Sequence, residues 1–325
     1  MTVSRCIALI VEGRGSLFIL AATVLVLPLF ISSNFHSRVM VIVWVFALAA
    51  IGLNLLMGYA GQVSLGHSGF FAIGAYSAAL GPPLLGLPTS LSLPVGILVS
   101  AAVAFVIGRP ILRLKGHYLA VATLGFGILV FMALSNEVSI TGGPDGMQVQ
   151  RLQLFGWTLR GNSTWYWITG GLLVFGAWLA LNLVNSPTGL ALRAIHDSEV
   201  ASSVIGVDVA RYKLTVFVVS AAFAAAAGGM LAVFNGHVTP GLSDFLVSVQ
   251  LVTMVVLGGM GSVLGSVVGA ALLVILPQFL TVLHEYEQAF LGLIMILTMI
   301  FLRSGIVPTL MKLFARNRDV RTSHG

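Results

Sequence analysis

The chain has 325 residues, of which 58% are hydrophobic and only 8% charged. Soluble domains carry roughly a quarter of their residues as charges, so this composition excludes a soluble fold. The net charge of +6 is the one feature that invites a nucleic-acid reading, and its distribution along the chain argues against it.

Lipid admits only helices or closed barrels, because every backbone polar group must be satisfied within the protein. The apolar runs are long and continuous, without the alternation of a barrel strand. They fall at about 17–31, 39–57, 63–81, 91–108, 117–134, 164–184, 214–234, 245–258, 262–283 and 288–302. A crossing needs about 17 to 25 apolar residues. The predicted fold is therefore an all-α, polytopic helical membrane protein with about ten transmembrane helices, or as few as eight. The first and eighth runs are short for a crossing and are tilted, half-inserted or longer than their apolar part. Arg5 and Arg14 precede the first run and no small-x-small site closely follows Ile31, so it reads as an uncleaved anchor.

With ten crossings, all of the 16 Lys and Arg except Arg38, Arg151 and Arg160 fall on one side. Basic residues set orientation, so both termini are predicted cytoplasmic. The basic tail within 303–325 is then a topology signal near anionic lipid, and no nucleic-acid partner is expected. Trp165, Tyr166 and Trp167 open the sixth run as an interfacial belt would. The lone Cys6 excludes disulfides and cysteine clusters.

The chain reads as a single membrane domain over 1–325, with two loops large enough for structure. The outer one, 135–163, holds the turn-forming run Thr141-Gly-Gly-Pro-Asp-Gly146. The inner one, 185–213, sets Leu190, Leu192, Ile195, Val200, Val204 and Ile205 among charges at roughly helical spacing. Ser186 or Thr188 would start such a helix and Gly206 would end it. Two readings are open: an amphipathic segment resting on lipid, or a docking helix for a cytoplasmic partner. A faint internal echo relates Gly58-Tyr-Ala-Gly61-Gln-Val-Ser-Leu-Gly66 to Gly258-Gly-Met-Gly261-Ser-Val-Leu-Gly265. Close helix packing is the simpler explanation. Discontinuous helices around a substrate path are the other.

Not one Asp, Glu, Lys or Arg lies inside the ten runs. Carriers driven by their own proton cycle usually keep an ionisable group at membrane depth, so energy is expected to enter from another subunit. The densest polar cluster near the membrane is Asn54, Gln62, Ser64, His67 and Ser68. Such groups are costly in lipid unless paired or wet, so they should face the bundle interior or a water-filled path. There is no metal-ligand spacing, nucleophile motif or phosphate-binding Gly-x-x-x-x-Gly-Lys-Ser/Thr loop. Gly125 and Gly127 lie inside an apolar run and read as packing glycines. No cofactor, metal or enzymatic activity is expected.

Several stretches resemble a known family. Gly52-Leu-Asn-Leu-Leu-Met-Gly-Tyr-Ala-Gly-Gln-Val-Ser-Leu-Gly-His-Ser-Gly-Phe-Phe-Ala-Ile-Gly-Ala-Tyr76 is similar to the signature of branched-chain amino acid ABC transporter permeases, in particular the M-subunit type of high-affinity leucine/isoleucine/valine importers. Tyr118-Leu-Ala-Val-Ala-Thr-Leu-Gly-Phe-Gly127, Thr141-Gly-Gly-Pro-Asp-Gly-Met147, and the run from Gly189 to Asp208 followed by Arg211-Tyr-Lys-Leu214 resemble further motifs of that type, in order. The departures are His196 where Arg is common, Ser198 where Asn is common, and Ser202-Ser203 in place of Ala-Glu.

The resemblance implies an importer of five parts in a bacterial cytoplasmic (inner) membrane. This multi-pass chain would pair with a second, homologous permease, meet two cytoplasmic ATPase subunits that hydrolyse the ATP, and receive substrate from an extracytoplasmic binding protein. Gly189, Arg193, Asp197, Glu199 and Gly206 would belong to the ATPase coupling loop. Thr141, Gly142, Gly143, Asp145 and Gly146 would face the binding protein. Leucine, isoleucine and valine are the implied substrates, with urea or short amides as the alternative within the family. The path would pass the Gln62–His67 cluster. A self-contained channel or carrier for a small neutral solute is the competing class; it accounts for the charge-free runs but not for the inner loop.

Overall fold

A computed structural model describes residues 14–30, 33–114, 116–154, 157–159, 161–279, 292, 296 and 305–309. The first apolar run forms α1 (Arg14–Val26) and a 3-10 turn, Leu27–Leu29, with a proline in its first turn. After Ser33, whose hydroxyl caps the next helix by accepting from the Phe35 amide, comes α2 (Asn34–Asn54), extended by a π turn over Leu55–Tyr59. Then follow α3 (His67–Leu85), α4 (Thr89–Ile111), α5 (His117–Asn136) and the single turn α6 (Val138–Thr141). Three short strands, β1 (Met147–Gln148), β2 (Gln153–Leu154) and β3 (Trp157–Thr158), lead to α7 (Asn162–Val184). The inner loop is two helices, α8 (Pro187–Asp197) and α9 (Glu199–Val204). The long α10 (Val209–Asn235), β4 (His237–Val238), α11 (Phe245–Gly258) and α12 (Val263–Phe279) follow.

Among the described residues, five helices have the length and apolarity to cross a membrane: α2 with its π turn, α4, α5, α7 and α10. Three shorter apolar helices cover 15–29, 245–258 and 263–278. The tenth predicted run, 288–302, apart from residues 292 and 296, and most of the basic tail lie outside the described residues. Two boundaries differ from the sequence reading. The third run was expected to begin a helix at Val63, but the helix starts at His67. Gly61 turns the chain in the left-handed region (φ 66°), and a Cβ on Gly66 would lie 2.0 Å from the Thr123 carbonyl oxygen, so residues 61–66 lie irregularly against α5. The helix of the seventh run, α10, begins at Val209 rather than at 214, which draws Lys213 into it and buries it.

α3 and α10 form the centre. A Cβ on Gly74 would lie 2.0 Å from the Ala225 carbonyl oxygen, and one on Gly228 would lie 1.9 Å from that of Phe71. Small residues thus let two backbones touch, the usual basis of helix association in lipid. Phe70, Phe71 and Phe217 are fully buried beside this contact. The β1–β4 pair ties the loop after α5 to the loop after α10, with Met147 opposite Val238. At the other end, where Arg109, Arg113, Arg193, Arg211 and Lys213 lie among the described residues, α8 and α9 lie beneath α2 and α10.

Candidate translocation joint and coupling surface

Asn54 ends α2, and its side chain reaches across the bundle. Its Nδ2 donates to the Ser262 carbonyl at 2.8 Å, and the Gly261 amide donates to its Oδ1 at 2.9 Å. The Tyr59 hydroxyl donates to the Gly261 carbonyl. A Cβ on Gly58 would lie 2.2 Å from the Gly261 nitrogen. The two glycine runs that echo each other in sequence are therefore packed against each other, one at the end of α2 and one in the turn between α11 and α12. Close packing and a break in the helices are both realised.

The second half of the cluster is built around His67. Its Nδ1 bonds the Ser64 hydroxyl at 2.8 Å and its Nε2 the Ser220 hydroxyl at 2.6 Å. Ser220 stands near the midpoint of α10. The Ser68 amide donates to Ser248 Oγ at 3.1 Å, Ser248 donates to Ser68 Oγ at 2.7 Å, and Ser68 donates to the Ser243 carbonyl at 3.1 Å. Ser243 in turn donates to the carbonyl of Gly127, near the midpoint of α5, at 3.2 Å. The amide of Leu65 donates to Thr123 Oγ1 at 3.0 Å.

These two midpoints act as rulers. α3 and α11 both begin halfway up the bundle and run toward opposite ends. That accounts for the short eighth run: its 14 residues make about 21 Å of helix at 1.5 Å per residue, against roughly 30 Å of hydrocarbon. Asp244, just ahead of α11, is exposed beside this joint.

Asn54, Gln62, Ser64, His67 and Ser68 are all buried. Four of them find partners inside the chain, so in this conformation they fasten helix ends together rather than line an open channel. The amide of Gln62 is the exception: neither its oxygen nor its nitrogen has a hydrogen-bond partner among the described residues. A buried amide without a partner costs on the order of 1–3 kcal/mol. Among the described residues no group of three His, Cys, Asp or Glu side chains could hold a metal ion.

The inner-loop helices sit directly under this joint. Gly189 packs on the Val184 carbonyl, where a Cβ would lie at 2.1 Å. That lets α8 fold back after α7 and bury Leu192 and Ile195. The Arg193 guanidinium lies 5.6 Å from the centroid of the Tyr59 ring. A Cβ on Gly61 would lie 2.9 Å from His196 Nδ1. Asp197 is exposed, and Gly206 closes the segment at φ 89°. Glu199 forms an ion pair with Lys213, whose side chain is only 6% exposed, so its charge is engaged within the chain. Leu190, Val200, Val204 and Ile205 are largely exposed and give the lower face an apolar character.

The scan of protein families matches residues 35–299 to the family described as branched-chain amino acid transport system / permease component. The chain belongs to this permease family. The high-affinity branched-chain amino acid transport system permease protein LivM of Salmonella typhimurium is 36% identical over 320 residues, covering 91% of this chain and 75% of that protein. LivM of Escherichia coli K12 is 35% identical over the same shares. LivH of Salmonella typhimurium is 27% identical over 290 residues, covering 81% of this chain and 91% of that one. No solved structure matches. The matched region contains the whole joint, α8 and α9.

At the other end of this permease, Thr141 is buried and its hydroxyl donates to the carbonyls of Leu134 and Glu137, each at 2.7 Å. Gly142 and Gly143 take positive φ. A Cβ on Gly146 would lie 2.0 Å from the Val238 carbonyl oxygen, which is what lets β1 dock on β4. Thr141, Gly142, Gly143 and Gly146 thus shape the loop, while Asp145 presents an exposed side chain. Sequence reasoning missed Ser220, Ser243, Ser248 and Thr123 as members of the joint. Each is a single hydroxyl in or beside an apolar run, with no local signal of its partner. It also placed Lys213 in a loop; Lys213 and Glu199, 14 residues apart, could have been suggested as a pair by their opposite charges alone.

Proposed function

We propose that this permease forms half of the translocation path of an ATP-driven importer for leucine, isoleucine and valine in a bacterial cytoplasmic membrane. It works beside a second, homologous permease, two cytoplasmic ATPase subunits and an extracytoplasmic binding protein. Both termini and α8–α9 face the cytoplasm, and 135–163 faces outward. The names of its relatives, some of the M and some of the H type, support a pair of different permeases.

The observation that carries the reading is the seat of α8 on the broken end of α2. Arg193 covers Tyr59, Tyr59 holds Gly261, and Asn54 clasps the same turn. Displacement of α8 by an ATPase therefore reaches the place where two discontinuous helices meet, which is where alternating-access transporters rearrange. The path runs along the seam from Asn54 and Gln62 to Ser64, His67 and Ser68, and opens when these bonds exchange partners. The apolar runs carry no formal charge, and Asp244 beside the joint offers a partner only to the ammonium end of a zwitterion, so the chain holds it weakly and the binding protein selects it.

Reconstitution in liposomes tests this. The complete complex should accumulate leucine only with ATP inside, and this chain alone should accumulate none. Uphill uptake by the single chain on a proton or sodium gradient would overturn the proposal. Uptake of urea or acetamide in preference to leucine would move the substrate to those solutes.

A further inference from the structure

We propose that a groove between α4 and α10 at the basic end binds the headgroup of an anionic phospholipid. The groove has a volume of about 620 Å³ and is lined by Arg109, Arg113 and Arg211 together with Phe105, Leu112 and Leu214. It lies apart from the joint and from the face of α8, and the proposal rests on the membrane fold rather than on any particular solute.

The three guanidiniums form no ion pair among the described residues; the salt bridge found there joins Lys213 to Glu199. Asp208 also lines the groove, but its Oδ1 accepts from the Arg211 backbone amide at 3.1 Å and caps α10. The first turn of α10 adds its own partial positive charge on the same side. Arg109 stacks on Phe105, 4.3 Å from the ring centroid, which holds one guanidinium at the groove's edge.

The walls decide what kind of anion fits. Above the arginines the groove is apolar, and it continues into the outward face of α4, where Leu98 and Val106 are 68% and 67% exposed. A phosphate with acyl chains satisfies both parts: the head meets three arginines and the tails follow α4. Free phosphate satisfies only the first. Basic pockets between membrane helices on the cytoplasmic side are suited to such heads.

The test uses the assembled transporter, stripped of lipid in detergent. Phosphatidylglycerol and phosphatidylcholine are titrated in parallel, with retention read by native mass spectrometry. Phosphatidylglycerol should be retained selectively. Arg109→Gln, Arg113→Gln and Arg211→Gln combined should lower its affinity on the order of a hundredfold, since each basic residue near a membrane surface contributes about fivefold. The corresponding triple Lys variant should keep most of it. Equal retention of the two lipids, or unchanged phosphatidylglycerol retention in the Gln variant, would overturn the site. So would competition by millimolar inorganic phosphate that fully displaces the lipid, or loss of the ATPase subunits with lipid retention unaltered. If the Gln variant does not assemble, photoactivatable phosphatidylglycerol on the unaltered complex decides the matter: cross-links should fall within 105–113 and 208–214, and labelling only elsewhere rejects the proposal.

Discussion

The joint around His67 and the surface around Arg193 satisfy their polar groups in opposite ways. In the joint, serine and histidine side chains from distant segments bond one another, and Asn54 bonds the backbone of Gly261 and Ser262. On the surface, Arg193 and Asp197 remain exposed while Glu199 alone is drawn inward by Lys213. Polar residues at half depth are tolerated in lipid when the fold supplies every partner. Polar residues at the end of the bundle need no such closure and stay available to another protein. Changes in the first region should therefore read out as stability, and changes in the second as assembly and coupling.

The sharpest test of that division is Gly58→Val. The new Cβ would lie 2.2 Å from the Gly261 nitrogen, a backbone atom that cannot move aside. The expected loss is about 3 kcal/mol or more, seen as a collapse of the thermal transition of the purified complex and loss of inserted protein. A stable, transporting variant would show that the two glycine runs are not in contact in the working protein.

Glu199→Gln tests the boundary between the regions. It leaves the buried Lys213 ammonium without its carboxylate. Because Glu199 is itself 38% exposed, the cost falls between that of a surface and a buried pair, about 1–2 kcal/mol. Adding Lys213→Met should recover most of the lost melting temperature. If the double variant is no more stable than Glu199→Gln, the carboxylate acts elsewhere, and the ATPase surface regains it.

The smallest effect on stability is expected for Arg193→Glu, about 0.5 kcal/mol, because the guanidinium is itself exposed and loses one contact with the Tyr59 ring. Its effect on function should be the reverse. The ATPase subunits should no longer co-purify, or should hydrolyse ATP without leucine uptake, because a reversed charge in a docked pair can cost roughly 2–5 kcal/mol of binding. Normal assembly with normal uptake would make α8 a lipid-surface helix and remove the contrast between the two regions.

Much of this was legible in the residues themselves. Apolar runs located most helices within a few positions. Gly142, Gly143 and Gly146 announced the turn that seats β1, and the spacing of Leu192 and Ile195 announced α8. The echo between Gly58–Gly66 and Gly258–Gly265 marked both sides of the joint, although it did not say that the two sides touch. What stayed illegible were lone hydroxyls. Ser220 and Ser248 look like any serine in an apolar helix, because a side chain at half depth carries no mark of the helix it will meet. Lys213 was misjudged for a related reason: its neighbours are apolar on one side only, and helix α10 begins earlier than the apolar run does.

The sequence by itself determined that this protein lives in lipid, that its segments are helices, and that it belongs among importer permeases. Those properties follow from composition and local period, which every conformation of the chain shares. Only the tertiary structure decided that α3 and α11 start beside the midpoints of α10 and α5, that Asn54 clasps a turn more than two hundred residues away, and that Arg193 rests on Tyr59 while Glu199 turns to Lys213. Hydrogen bonds and ring contacts reach only a few ångströms, so their partners are chosen by how the helices cross, and no local pattern encodes that crossing.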